Sequence, residues 1–127
     1  MRKKWLLSVV ILFCLTFMGC GENTIEGEWV LTKKICGDGT VLDKSDIEDY
    51  GWSEIYNISG ETVQYTCITP ETGTRNYDMK MVSTGENEYT FYISDKLVFV
   101  VATLDGKELR YNIGTEGDMS TFIFEKK

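Results

Sequence analysis

Histidine is absent from this 127-residue chain and proline occurs once, as Pro70. The first absence removes imidazole zinc ligands and every Ser-His or Cys-His dyad. A general base working near neutral pH would have to be a perturbed carboxylate. No Ser-Lys pair, Gly-x-Ser-x-Gly elbow or metal constellation stands in for it, so no catalytic residue is named, no metal or cofactor is expected, and an enzyme is not expected. Basic residues are scarce as well, 13 Lys and Arg against 20 Asp and Glu, for a net charge of −7. Such a surface repels phosphate backbones, which excludes nucleic acid as a partner. Four cysteines occur without a Cys-x-x-Cys spacing, which argues against a redox site.

What the chain does have begins at its first residue. Arg2, Lys3 and Lys4 form a basic start, Leu6 to Met18 an apolar core, and Gly19 precedes Cys20. A core of about 13 residues is too short to cross a bilayer as a permanent helix. The order of parts resembles a bacterial lipoprotein signal, in which the cysteine receives lipid and becomes the new N-terminus. The resemblance implies residues 1–19 as a signal helix that is removed, 20–24 as the lipidated Cys20 with a short tether, and 25–127 as one domain. It places that domain in the bacterial cell envelope, outside the cytoplasm and held to a membrane through its lipid. An ordinary cleaved secretory signal or an uncleaved anchor are the alternatives. Three basic residues leave with the signal and no acid does, so the remaining part holds 10 basic and 20 acidic residues.

Cys14 leaves with the signal, so Cys36 and Cys67 are the only pair left for a disulfide. An oxidising compartment favours the bridge, and an envelope without oxidation leaves two reduced thiols.

Beyond the signal the pattern has period two. Val63, Tyr65 and Cys67 alternate with polar neighbours, as do Tyr77, Met79 and Met81, and Leu109, Tyr111 and Ile113. Glycine-bearing turn signals punctuate these runs, the sharpest being Asp105-Gly106, which is expected to form a type I′ hairpin. Strands are predicted near 26–35, 53–59, 62–69, 75–83, 88–94, 97–104, 107–113 and 119–126. Eight antiparallel strands expose two edges unless the last meets the first, so the expected fold is all-β, an eight-stranded antiparallel up-and-down barrel, expected to be a monomer. The run from Leu97 to Leu104 is apolar on both faces, which fits a strand buried on both sides or covered by a partner surface.

The long connection from Gly37 to Trp52 carries Ser45-Asp46-Ile47-Glu48, with the spacing of a capping box, and predicts a short helix over 46–50. Asp43, Asp46, Glu48 and Asp49 crowd here, but their spacing matches no calcium loop, and a solvated acidic face is expected.

Gly27-Glu28-Trp29 at the start of the first strand resembles the Gly-x-Trp of lipocalins and related calycin barrels, particularly the small bacterial lipocalin-like lipoproteins. The resemblance implies that Trp29 plugs the closed end, that the long first loop lies at the open end as a lid, and that Tyr50 and Trp52 border the mouth. Where that family carries an arginine to stack on the tryptophan, this chain offers Lys126 or Lys127. An eight-stranded barrel is just wide enough to be filled by side chains or to keep one small ligand. If a cavity is present, Tyr65, Tyr77, Met79, Phe91, Phe99, Tyr111 and Phe122 are its expected lining, suited to a small hydrophobic or amphipathic molecule with one polar end. A filled barrel would instead bind an envelope protein or glycan with its outer surface.

Overall fold

A computed structural model describes residues 24–127. The signal, its expected helix and Cys20 lie outside the described residues. The elements in chain order are β1 (Gly27–Ile35), β2 (Val41–Leu42), α1 (Lys44–Tyr50), β3 (Ser53–Ser59), β4 (Thr62–Thr69), β5 (Gly73–Gly85), β6 (Glu88–Ser94), β7 (Leu97–Asp105), β8 (Glu108–Thr115) and β9 (Asp118–Lys126). Every pairing is antiparallel, each long strand lies beside its neighbours in sequence, and β1 also pairs with β9, from Trp29 with Lys126 to Ile35 with Thr121. With the two-residue β2 only a clip on the end of β1, eight strands make a closed wall.

The tight turns Gly60-Glu61, Glu86-Asn87 and Gly106-Lys107 close one end. The long β1–β3 connection and the turns after β4, β6 and β8 ring the other. At Gly106 only the first central residue takes positive φ, +63°, so the hairpin follows the II′ pattern and not the expected I′. Asp105 is drawn into the ladder, opposite Glu108.

Three bulges decide which side chains enter the barrel. Leu31 pairs with Phe124 and Lys33 with Ile123, so Thr32 is the extra residue and the inward phase of β1 moves from Lys33 to Lys34, the partner of Phe122. Between β6 and β7 the register steps leave Ile93 and Phe99 without partners, and both pack against the core.

The closed half is solid. Trp29, Ile58, Val63, Phe91, Leu109 and Phe124 are fully buried there or next to it. Trp29 donates its Nε1 proton to the Ile25 carbonyl at 2.7 Å, and Lys126, not Lys127, holds its Nζ 5.2 Å from the indole centroid. Gly27, at φ +131°, makes room for this, because a β-carbon there would come within 3.1 Å of the Lys126 stem.

α1 begins two residues earlier than predicted. Asp43 is its N-cap, accepting from the Asp46 amide at 3.0 Å while the Asp46 carboxylate accepts from the Asp43 amide at 3.1 Å. Aspartate caps at least as well as serine, and it sits two residues upstream of Ser45. The helix packs on β1 and β2, and its Lys44 and Glu48 line an outer groove with Val30, Thr32 and Ile55. Ile47, its one buried residue, joins the hydrophobic core cluster, so the helix is fastened at the open end by that side chain while its polar face meets the outer groove. β7 is covered on its inner face by Val100, Ala102 and Leu104, while Leu97 is 58% exposed and Val98 and Val101 are also exposed.

Candidate functional site at the open end of the barrel

At mid-height the barrel is crossed by rings. Tyr56, fully buried, lies 4.6 Å from Tyr65 in a stacked arrangement, 5.0 Å from Phe124 and 5.3 Å from Phe91. Its hydroxyl and that of Tyr111 are 2.9 Å apart. These rings form a floor whose polar atoms are phenolic hydroxyls.

Above the floor stands a carboxylate. Glu54, on the inward face of β3, is only 7% exposed. Tyr65 donates to its Oε1 at 2.7 Å and Trp52 Nε1 donates to its Oε2 at 2.9 Å. Around it, half-buried and facing the opening, are Trp52, Tyr77, Phe99 and Phe122, with Cys67 beside them. Trp52 meets Phe122 edge-on at 6.2 Å on the β3 and β9 side, and Tyr77 meets Phe99 at 6.4 Å across the mouth on β5 and β7. Lys34 completes the ring, its Nζ 5.6 Å from the Trp52 centroid and 5.3 Å from that of Phe122. The Tyr50 hydroxyl donates to the Glu71 carboxylate, tying the end of α1 to the β4–β5 turn on the rim.

Burial dominates the electrostatics. It raises the Glu54 carboxyl above its ordinary value, although the donors Tyr65, Trp52 and Tyr111 and the charge of Lys34 pull the other way. It also pushes the Tyr56, Tyr65 and Tyr111 hydroxyls far up, so all three remain protonated donors. The Cys67 thiol is raised for the same reason.

A pH dependence follows. An acid with a raised folded-state value holds its proton more tightly folded than unfolded. Its contribution is complete below the unfolded carboxylate value, about 4.3, and is lost as pH rises through the folded one. Glu54→Gln, neutral throughout, should therefore gain stability relative to the unmodified chain as pH rises from about 4.3 through that window. Urea titrations at several pH values would show it, and a difference that stays flat or runs the other way would refute the assignment.

Of the residues expected to line a cavity, Tyr65, Tyr77, Phe99, Tyr111 and Phe122 meet at or just below the mouth, whereas Met79 and Phe91 are buried in the wall of the packed half. Cys36 and Cys67 are both free, half-buried thiols, so the bridge considered from the sequence is not formed. Among the described residues no group of three His, Cys, Asp or Glu side chains is placed to hold a metal. Trp52 borders the mouth as the resemblance implied, whereas Glu54, Lys34 and Tyr56 were not among the expected lining. The Glu54, Tyr56, Ile58 alternation was there to be read, but Lys34 enters only through the bulge at Thr32.

No protein-family model matches the chain, and no curated protein does. Among solved structures it is similar to a lipocalin-like protein from Bacteroides uniformis, at 20% identity and a TM-score of 0.53, over 81% of this chain and 98% of that one. The fold of residues 24–127 is a lipocalin-like closed barrel.

Proposed function

We propose that the chain is an envelope lipoprotein, anchored through Cys20, whose barrel mouth binds a small hydrophobic or amphipathic ligand. The observation that carries the reading is Glu54. A carboxylate held 93% out of solvent, between two donors and beneath four half-exposed rings, combines a few convergent polar groups with an apolar lining. The order of basic start, apolar core and Gly19-Cys20 supports the anchor. The tether would arrive at the closed end, because Ile25 and Thr24 are bound to Trp29 and Lys126 there. From Cys20 to Gly27 at the start of the first strand the chain reaches at most about 25 Å, so the base faces the membrane and the mouth faces away.

A second reading rests on the exposed apolar residues Leu97, Val98 and Val101 of β7, with Ile113 and Met119 nearby on β8 and β9. An apolar strip of this kind suits an envelope protein or glycan.

One preparation tests the anchor and the ligand. Cys20→Ser, expressed in the native cells, should move from the membrane to the soluble fraction with an unchanged circular dichroism spectrum. If it stays in the membrane, the lipid anchor is refuted. Native mass spectrometry of the unmodified chain and of this variant should find the same added small-molecule mass. A bare polypeptide mass in both turns the choice to the interaction surface on β7.

A further inference from the structure

We infer that the mouth selects compact, flat, uncharged aromatic molecules carrying one hydrogen-bond donor, such as phenols and indoles, over acyl chains. The inference rests on the reading of the mouth as a ligand site and adds the chemistry of the ligand.

Depth comes first. From Tyr65 at the floor to Thr69 at the rim, β4 rises about 13 Å along the strand, or about 10 Å along the barrel axis at the usual tilt. The floor then closes with Tyr56, Tyr65 and Tyr111, and the Tyr56 and Tyr111 hydroxyls satisfy each other at 2.9 Å. An acyl tail would end against phenolic oxygens with no apolar shaft below them. The rings that border the mouth, Trp52 with Phe122 on one side and Tyr77 with Phe99 on the other, offer aromatic faces and edges against which a flat ring packs better than a flexible chain.

The polar end is set by Glu54. Its oxygens accept from Tyr65 and from Trp52, and the Tyr111 hydroxyl also faces it, yet two carboxylate oxygens offer about four acceptor positions, which leaves room for one donor more. The protein groups around it are donors, so the ligand group that completes the set is a donor too. Its charge is set by Lys34. This ammonium lies over Trp52 and Phe122, attracts Glu54, and has no ion-pair partner within 4.0 Å among the described residues. It already occupies the aromatic place that a ligand cation would take. Together Glu54 and Lys34 cancel in charge inside the mouth, while the further cation, Arg75 opposite Cys67, is exposed at the rim and solvated, so a neutral head disturbs neither Glu54 nor Lys34.

Isothermal titration calorimetry of the full chain, referenced to the same detergent without protein, distinguishes the cases with four probes. These are 2-naphthol, 1-naphthylmethylammonium, 2-naphthoate and laurate. 2-Naphthol should bind at least tenfold more tightly than the other three. Glu54→Gln should weaken it roughly tenfold, the scale of one hydrogen bond to a charged acceptor. Lys34→Met leaves Glu54 uncompensated and should move the preference to 1-naphthylmethylammonium, which a merely structural role for Lys34 would not do. Circular dichroism establishes that both variants are folded. Laurate binding above 2-naphthol overturns the inference and leaves the carrier standing. So does 2-naphthol binding that neither variant changes, because recognition then lies away from Glu54. If none of the four binds, the inference falls, and the native mass of the cell-derived chain separately decides the carrier.

Discussion

Trp29→Ala should destabilise the folded chain by about 4 kcal/mol, within the range found for removing a fully buried large aromatic side chain. Trp29 is 1% exposed and sits where the barrel narrows to its tight turns. Truncation removes its apolar burial and leaves a cavity that a closed ring of hydrogen-bonded strands cannot collapse to fill. It also orphans the Ile25 carbonyl, which accepts from the indole at 2.7 Å, and takes away the surface on which Lys126 lies. The lysine itself counts for much less. Its ammonium is at the surface and bound to the Thr24 carbonyl, so Lys126→Met should cost about 1 kcal/mol or less. Against a total of about 5 to 15 kcal/mol for a domain of this size, the tryptophan truncation removes a large share of the stability. Urea titration measures it. A loss below about 1.5 kcal/mol for Trp29→Ala, or equal losses for the two variants, would mean that the indole does not seal the base.

The wall of this barrel was legible because alternation and turn chemistry agree along most of the chain. The strands at 53–59, 62–69 and 88–94 match the prediction residue for residue. Each is a short run bounded by Gly, Asp or Asn at the turns, and the first two alternate. β5 runs longer than predicted, Gly73–Gly85 against 75–83, since pairing with β4 continues through Thr74 to Gly73 once the turn after Pro70 is made. β2 was missed because two residues clipped to β1 leave no periodic trace.

The mouth was much less legible, for a physical reason. Hydrophobic periodicity reports which face is buried, and a functional site places polar groups on that face. Glu54 therefore reads as a break in the pattern. Lys34 reads as an outward residue, because period two from Trp29 and Leu31 points to Lys33 until the bulge at Thr32 shifts the phase. Phe99 was expected inside, but its route there is a bulge and not a regular register. Sequence patterning thus located the base well and the mouth only through its aromatic residues.

Tyr56 is where the two halves of the barrel join, and its variants should separate ring from hydroxyl. Tyr56→Ala removes a fully buried ring in contact with Tyr65, Phe91, Tyr111 and Phe124, and should cost about 3 to 5 kcal/mol. Tyr56→Phe keeps the packing and deletes only the oxygen that faces the Tyr111 hydroxyl, so about 1 to 2 kcal/mol is expected, mostly the cost of leaving that buried hydroxyl without its partner. The double variant Tyr56→Phe with Tyr111→Phe should recover part of this, because neither ring then carries an unsatisfied oxygen. Thermal and urea unfolding of the four chains measures the set. A Tyr56→Phe loss as large as that of Tyr56→Ala would locate the stability in the hydroxyl pair and not in the stacked rings. The alanine variant also opens the floor of the mouth into the packed half. In that variant alone laurate should gain affinity, because the space vacated by the Tyr56 ring, bordered by Phe91 and Phe124, lets the end of an acyl chain pass the floor.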